Sequence, residues 1–270
     1  MSSEKKTGGS LFAIIVIPAI IVFCYVIFYT IFGDPTNFQE NKLENHPKDS
    51  MPEWLYGTIF KGGFIVPILF SIVFIVITFS VERFFTLSKA KGRGKIDNFI
   101  REIRSRLNSD QINEALELCD TQRGSVANVV RAGLQKFENV KHDSGLDRES
   151  KIQAVKEEIE EATSLELPML SKNLFIISTC ASIATLIGLI GTVLGMIRSF
   201  AALGAEGGTV DAAALSTGIS EALINTAVGI TGSCIAIIMY NYFSNKIDAI
   251  THGIDEAGFT VSQTFSSKNI

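Results

Sequence analysis

The chain has 270 residues, 47% of them hydrophobic and only 19% charged, with a formal charge of −4 at pH 7. A net charge this small and negative gives no hint of nucleic-acid binding. Cys24, Cys119, Cys180 and Cys234 show neither CxxC nor metal-ligand spacing, and three of them fall in apolar runs, so they read as small buried hydrophobes rather than a disulfide framework.

The first element is the uncharged run Leu11–Phe32, preceded by Lys5 and Lys6. A bilayer needs about 20 predominantly apolar residues per helix. The run is too long for the apolar part of a signal peptide, and Ile31-Phe32-Gly33-Asp34-Pro35 offers no small-residue cleavage site, so it reads as a retained span. After the polar segment 33–62 comes a second span, Phe64–Val81, closed by Glu82-Arg83. A third is expected from about Asn173 to Phe200 and a fourth from about Ile219 to Phe243, joined through 201–211. Arg83, Lys89, Lys91, Arg93, Lys95, Arg101, Arg104 and Arg106 crowd the near flank between spans two and three, whereas Ala201–Val210 has no basic residue. By the positive-inside rule the middle region and both termini are cytoplasmic, and 33–62 and 201–211 face the other side.

Residues 83–172 read as helices joined by short turns. Ile96, Phe99, Ile100, Ile103 and Leu107 recur at helical spacing, Ser109 is the expected N-cap of a helix carrying Ile112, Ala115, Leu116 and Cys119, and Gly124-Ser125 opens another. A charged helix is expected from near Asp147 through Ile152, Val155, Ile159 and Ala162, continuing toward the third span with Pro168 as a kink point. The runs Glu157-Glu158 and Glu160-Glu161 read as a solvated face. His46, His142 and His252 are far apart, and no glycine-rich phosphate loop is present, so neither an enzyme nor a cofactor is expected. The expected architecture is an all-α membrane protein of four transmembrane helices with a cytoplasmic helical domain, the helices of the last two spans extending into the cytoplasm. Its divisions are 1–62 (first helix 11–32 and outer segment), 63–82 (second helix), 83–172 (cytoplasmic helical domain), 173–245 (transmembrane hairpin) and 246–270 (cytoplasmic tail).

The hairpin carries the functional pattern. Ser178, Thr185, Thr192 and Ser199 lie seven residues apart, interleaved with Ala181, Gly188, Gly195 and Ala202. In the fourth span Ala222, Thr226, Gly229, Ser233 and Ala236 share a face, beside Gly218, Asn225 and Gly232. Small residues let helices approach closely in lipid. The hydroxyls either line a central space or merely return hydrogen bonds to their own backbone. Glu221 stands out, because an ionisable group within a span marks an ion pathway or a partnered charge. Asn225, one turn on, is within hydrogen-bonding reach of it. Thr226 lies about 7.5 Å deeper than Glu221 at helical rise. Arg198 is expected to snorkel to the interface or to pair with Glu206 or Asp211. Glu221 apart, the cores of these two spans hold no acidic residue, so a proton relay would need a carboxylate from another subunit.

The segments Gly188-Leu-Ile-Gly-Thr-Val-Leu-Gly-Met-Ile-Arg-Ser-Phe200 and Gly218-Ile-Ser-Glu-Ala-Leu-Ile-Asn-Thr-Ala-Val-Gly-Ile230 resemble the signatures of the ExbB/TolQ/MotA proton-channel family. With Leu118-Cys119 and Val129–Leu134 the likeness covers roughly residues 80–245 and looks closest to the ExbB branch. The resemblance implies a homopentamer in the lipid of a bacterial inner membrane, surrounding the helices of a smaller ExbD-like partner dimer. That partner contributes the proton-accepting Asp, facing hydroxyls that match Thr192 and Thr226, while Glu221 matches the family's acidic position. Proton flow then drives a motion whose work passes to a TonB-like protein that energises outer-membrane import. Thr185, Asn225, Ser199 and Ser233 extend the candidate pathway. Three features depart from the pattern. Ala184-Thr185 replaces the usual Ala-Pro, so that either a kink is absent or a hydroxyl is added. Asn225 replaces a small apolar residue, and Leu11–Phe32 adds a span to the usual three. The alternatives are a TolQ-like or flagellar stator-type subunit, or a solute transporter; a transporter would show internal repeats or broken helices at the midplane, and the sequence shows neither.

Overall fold

The computed structural model describes residues 8–43, 45–141, 145, 147–205 and 212–267. Its main helices are α1 (Gly8–Ile27), α2 (Glu53–Lys61), α3 (Val66–Ala90), α4 (Ile96–Asn108), α5 (Ile112–Gln122), α6 (Gly124–Lys141), α7 (Arg148–Ser171), α8 (Leu174–Ala205) and α9 (Ala212–Ser267). Among the described residues there is no strand, only an isolated bridge between Phe38 and Pro47. Four helical stretches are long and apolar enough to cross a membrane: Phe12–Phe32, Gly63–Ala90, Arg148–Ala201 and Leu215–Ser267. The protein is therefore all-α, with the expected number of spans. The chain divides into two units, Met1–Ser80 with Ile176–Tyr240, and Val81–Phe175 with Asn241–Ile270.

In the first unit α1 ends in a π turn, Phe28–Phe32. The last carbonyls of a helix lack partners within it. Here the buried Asn37 side chain supplies them, donating to the Ile31 oxygen at 2.8 Å and the Phe32 oxygen at 3.2 Å. Aromatic contacts bind α1 to α3 along its length: Phe12 on Phe79, Phe23 on Phe74, and Phe32 stacked on Phe70 at 5.7 Å. Opposite them, Ile14, Ile15, Val22 and Val26 are exposed. A helix that leaves an apolar face uncovered is suited to lipid rather than to water. The segment after α1 is folded as well. Asp34 caps a short 3-10 turn by accepting from the Thr36 amide, the Lys48 amide donates to the Asn37 oxygen, and Gly57 of α2 lies against Pro47.

The second unit is held by the stripes that the helical spacing predicts. Phe99, Ile100, Ile103 and Leu107 are buried, as are Ala115, Cys119, Val126, Val129, Val130, Leu134, Val155 and Ile159. The last part of α9 joins them through Ile250, Ile254, Ala257, Val261 and Phe265, with Phe265 stacked on Phe137 at 3.7 Å. Residues 246–267, expected as a tail, are thus the end of a helix, because an apolar residue at every third or fourth position gives them a face to bury. Gly133 lets α6 approach α7, since a Cβ there would meet Ile159 at 2.7 Å. The Asp147 side chain caps α7 by accepting from the Ser150 amide, as expected for a helix beginning there.

One helix end differs from expectation. Ser109 is not an N-cap: it closes α4, its amide donating to the Ser105 and Arg106 carbonyls, and α5 starts after Gln111 without a side-chain cap. Pro168 lies inside α7, which runs on to Ser171, and Asn173 between α7 and α8 adopts φ 61°. In the runs Glu157-Glu158 and Glu160-Glu161 of α7, Glu157, Glu160 and Glu161 are exposed, while Glu158 is half-buried and pairs with Lys136 at 3.5 Å. Cys24, Cys119 and Cys180 are buried and Cys234 exposed, and burial pushes the Cys119 thiol up to about 12, which keeps it protonated and inert. His142 lies outside the described residues.

Candidate functional site

In α8 the residues Ala181, Ala184, Gly188, Gly191, Gly195 and Ser199 recur every three or four positions and are all buried. They meet Gly218, Ala222, Asn225 and Gly229 of α9. A Cβ at Gly229 would lie 2.8 Å from the Ala184 oxygen and 2.9 Å from the Gly188 Cα, and one at Gly195 would lie 2.8 Å from the Gly218 oxygen. At these points backbone touches backbone, so only glycine fits. In lipid this close approach is what holds two helices together, since apolar side chains gain little by leaving an apolar solvent. Ser199 adds a polar tie, its hydroxyl lying 3.0 Å from the Gly195 oxygen and 3.4 Å from the Leu215 oxygen on the facing helix.

The hydroxyl half of the predicted stripe borders this seam. Ser178, Thr185 and Thr192 are half-buried, whereas Ser199 lies within the seam; the Ala202 side chain is outside the described residues. Thr192 donates to the Leu189 oxygen at 2.6 Å and Thr226 to the Ala222 oxygen at 3.2 Å. Both protons return to their own helix, leaving the oxygen lone pairs to accept from water or a partner.

Glu221 is 6% exposed. Arg198 donates to its carboxylate at 2.6 Å and also lies 5.7 Å from the Phe64 ring. Arg198 thus turns along the hairpin to a carboxylate within the seam; Glu206 and Asp211, the partners expected for it, lie outside the described residues. From the other side Gly63, at φ 79°, brings backbone against Glu221, leaving no room for a Cβ beside the carboxylate. The anticipated Asn225–Glu221 hydrogen bond does not form. Asn225 is fully buried and points at Gly191, where a Cβ would lie 2.5 Å from its own, and neither its amide nitrogen nor its oxygen has a hydrogen-bond partner among the described residues.

Thr185 and Ser233 come together elsewhere, in a cleft of about 350 Å³ shared with Ser178, Ser182 and Tyr240. Ser182 and Tyr240 were not singled out from sequence, although Tyr240 lies seven residues after Ser233 and so repeats the heptad interval. Arg198 and Gly63 as partners of Glu221 had no sequence signal beyond a basic residue and a Gly-Gly pair. The arrangement offers one ion-paired carboxylate, one amide and a series of hydroxyls on two tightly joined helices. Such groups can order water and pass protons along it. They include no nucleophile beside a general base.

A family model described as the MotA/TolQ/ExbB proton channel family matches residues 122–256. The chain is similar to the Tol-Pal system protein TolQ of Pseudomonas aeruginosa, 34% identical over 128 residues, which are 46% of this chain and 54% of that protein. It is similar to the TolQ of Haemophilus influenzae, 28% identical over 69% of this chain and 79% of that protein. It is also similar to the biopolymer transport protein ExbB of Salmonella typhimurium, 28% identical over 52% of this chain and 49% of that protein. The chain thus spans about half the length of the first and last of these relatives.

Proposed function

The chain belongs to the MotA/TolQ/ExbB proton channel family, and from that premise we propose that it is the proton-channel subunit of a bacterial inner-membrane motor, assembled around the helices of an ExbD-like single-span partner. Several copies, five by the resemblance, surround a partner dimer that brings an intramembrane Asp. The middle region and both ends of the chain lie in the cytoplasm, and the work of proton flow passes to a TonB-like transducer. The observation that carries this reading is Glu221: a carboxylate held inside a spanning helix by Arg198, on the same seam as hydroxyl groups and an amide without a partner among the described residues. Such a group is costly in a membrane and is found where ions pass. A second reading, in which the transducer belongs to a Tol-Pal-type system, is favoured by the two TolQ relatives.

The chain, co-expressed with the short single-span protein bearing one intramembrane Asp that is expected from a neighbouring gene, is reconstituted into liposomes and proton flux is followed under a membrane potential. Thr192→Val and Thr226→Val are expected to assemble with the partner but to lose flux by about tenfold or more, the scale of removing a proton-relaying group. Unchanged flux in both variants removes these hydroxyls from the pathway. Copurification of a TonB-like transducer, or instead of a Tol-Pal-type component, separates the two readings.

A further inference from the structure

A proton path through a membrane must reach water, and lipid supplies none. Glu221 is covered by Arg198 on one side and the backbone of Gly63 on the other. One turn back along α9, however, the helix opens onto a cavity of about 420 Å³, formed with the segment 33–62. Ser216, Thr217 and Ser220 make its α9 wall, and His46, Asp49 and Lys61 stand on the opposite walls. Ser220 is the residue before Glu221, and Thr217 precedes it by four positions, about 6 Å along the axis. The volume holds on the order of ten waters, and the walls give them donors and acceptors on every side. The three groups on the walls that can carry charge come from the loop and α2, and α9 contributes hydroxyls only. Lys61 is held back by the Leu43 oxygen, which accepts from it at 2.9 Å, and by the Phe38 ring 5.7 Å away. The segment is not a slack linker: the Asn37 and Lys48 bonds and the seating of Gly57 on Pro47 give this wall a defined place.

We propose that this cavity is the aqueous vestibule through which the proton path beside Glu221 meets the bulk, and that the segment 33–62 serves to build it. The inference rests on the channel reading above but names a part of the chain, outside residues 122–256, that the family match does not cover.

The test uses Ser220→Cys in the full chain, reconstituted with its partner, the wild type serving as blank for the exposed Cys234. A small membrane-impermeant anionic methanethiosulfonate is expected to modify Ser220→Cys about tenfold faster than Ile219→Cys on the adjacent, partly exposed apolar position, and modification is expected to cut proton flux by about tenfold, because the adduct fills the water path. Ser216→Cys is read in the same way should Ser220→Cys fail to assemble. Equal labelling at 219 and 220 overturns the vestibule. So does full labelling with flux unchanged while the wild-type complex conducts. A wild-type complex that conducts no protons overturns the channel reading, and this inference with it.

Discussion

A carboxylate inside a membrane helix must be paired, protonated or wetted, and Glu221 is paired. Removing one member of such a pair leaves the other uncompensated, whereas removing both costs much less. Arg198→Met is therefore expected to lower the thermal midpoint of the detergent-solubilised protein by on the order of 5 °C, and the double variant Arg198→Met/Glu221→Gln to recover most of the loss, although neither restores proton flux. Equal midpoints for the single and double variants show that the pair does not hold the hairpin. Asn225 is the opposite case: its amide is buried without a partner among the described residues, at a cost of about 1–3 kcal/mol. Groups kept at such a cost concentrate where function needs them, and Asn225 replaces a residue that the family resemblance makes small and apolar. The amino-acid sequence had marked both residues as candidates, Glu221 as an ionisable group within a span and Asn225 by its place beside the small-residue face. It could not show that Glu221 would take Arg198 and leave Asn225 alone, because that choice depends on which helix face each long side chain meets.

At the scale of elements, the α8–α9 hairpin is held by glycines where backbone meets backbone. Gly229→Ala pushes a Cβ to within 2.8 Å of the Ala184 oxygen. Neither backbone can give way without separating the helices, so a loss of about 1–3 kcal/mol is expected, read as a lower midpoint in chemical or thermal unfolding. Leu189→Ala, on an exposed position of α8, is the control and is expected to change stability little. The helix stripes of the second unit were legible residue by residue, since burial follows a period of 3.6 whatever the helix packs against. The ends of helices were less so. Ser109 is a good N-cap by composition, yet the chain uses it to finish α4, and α9 runs on to Ser267 because Phe265 finds Phe137.

For the whole molecule, the proposed orientation rests on the excess of Lys and Arg between the second and third spans. In intact cells Lys48→Cys is expected to react with an impermeant thiol reagent, and Lys156→Cys only after the membrane is opened; the reverse pattern inverts the topology and places the proposed vestibule on the cytoplasmic side. Sequence by itself determined that this protein has four spans, a charged middle region and paired small-residue motifs of a proton-channel family, because span length, charge bias and motif spacing are properties of a one-dimensional string. Only the tertiary structure decided that Arg198 closes on Glu221 across 23 residues, that Asn225 faces Gly191, and that a loop some 170 residues before α9 forms a polar cavity with its first turns. Those are distances between side chains far apart along the chain. They are set by how closely two glycine-bearing backbones approach and by which surfaces the aromatic contacts hold together, and no local pattern encodes either.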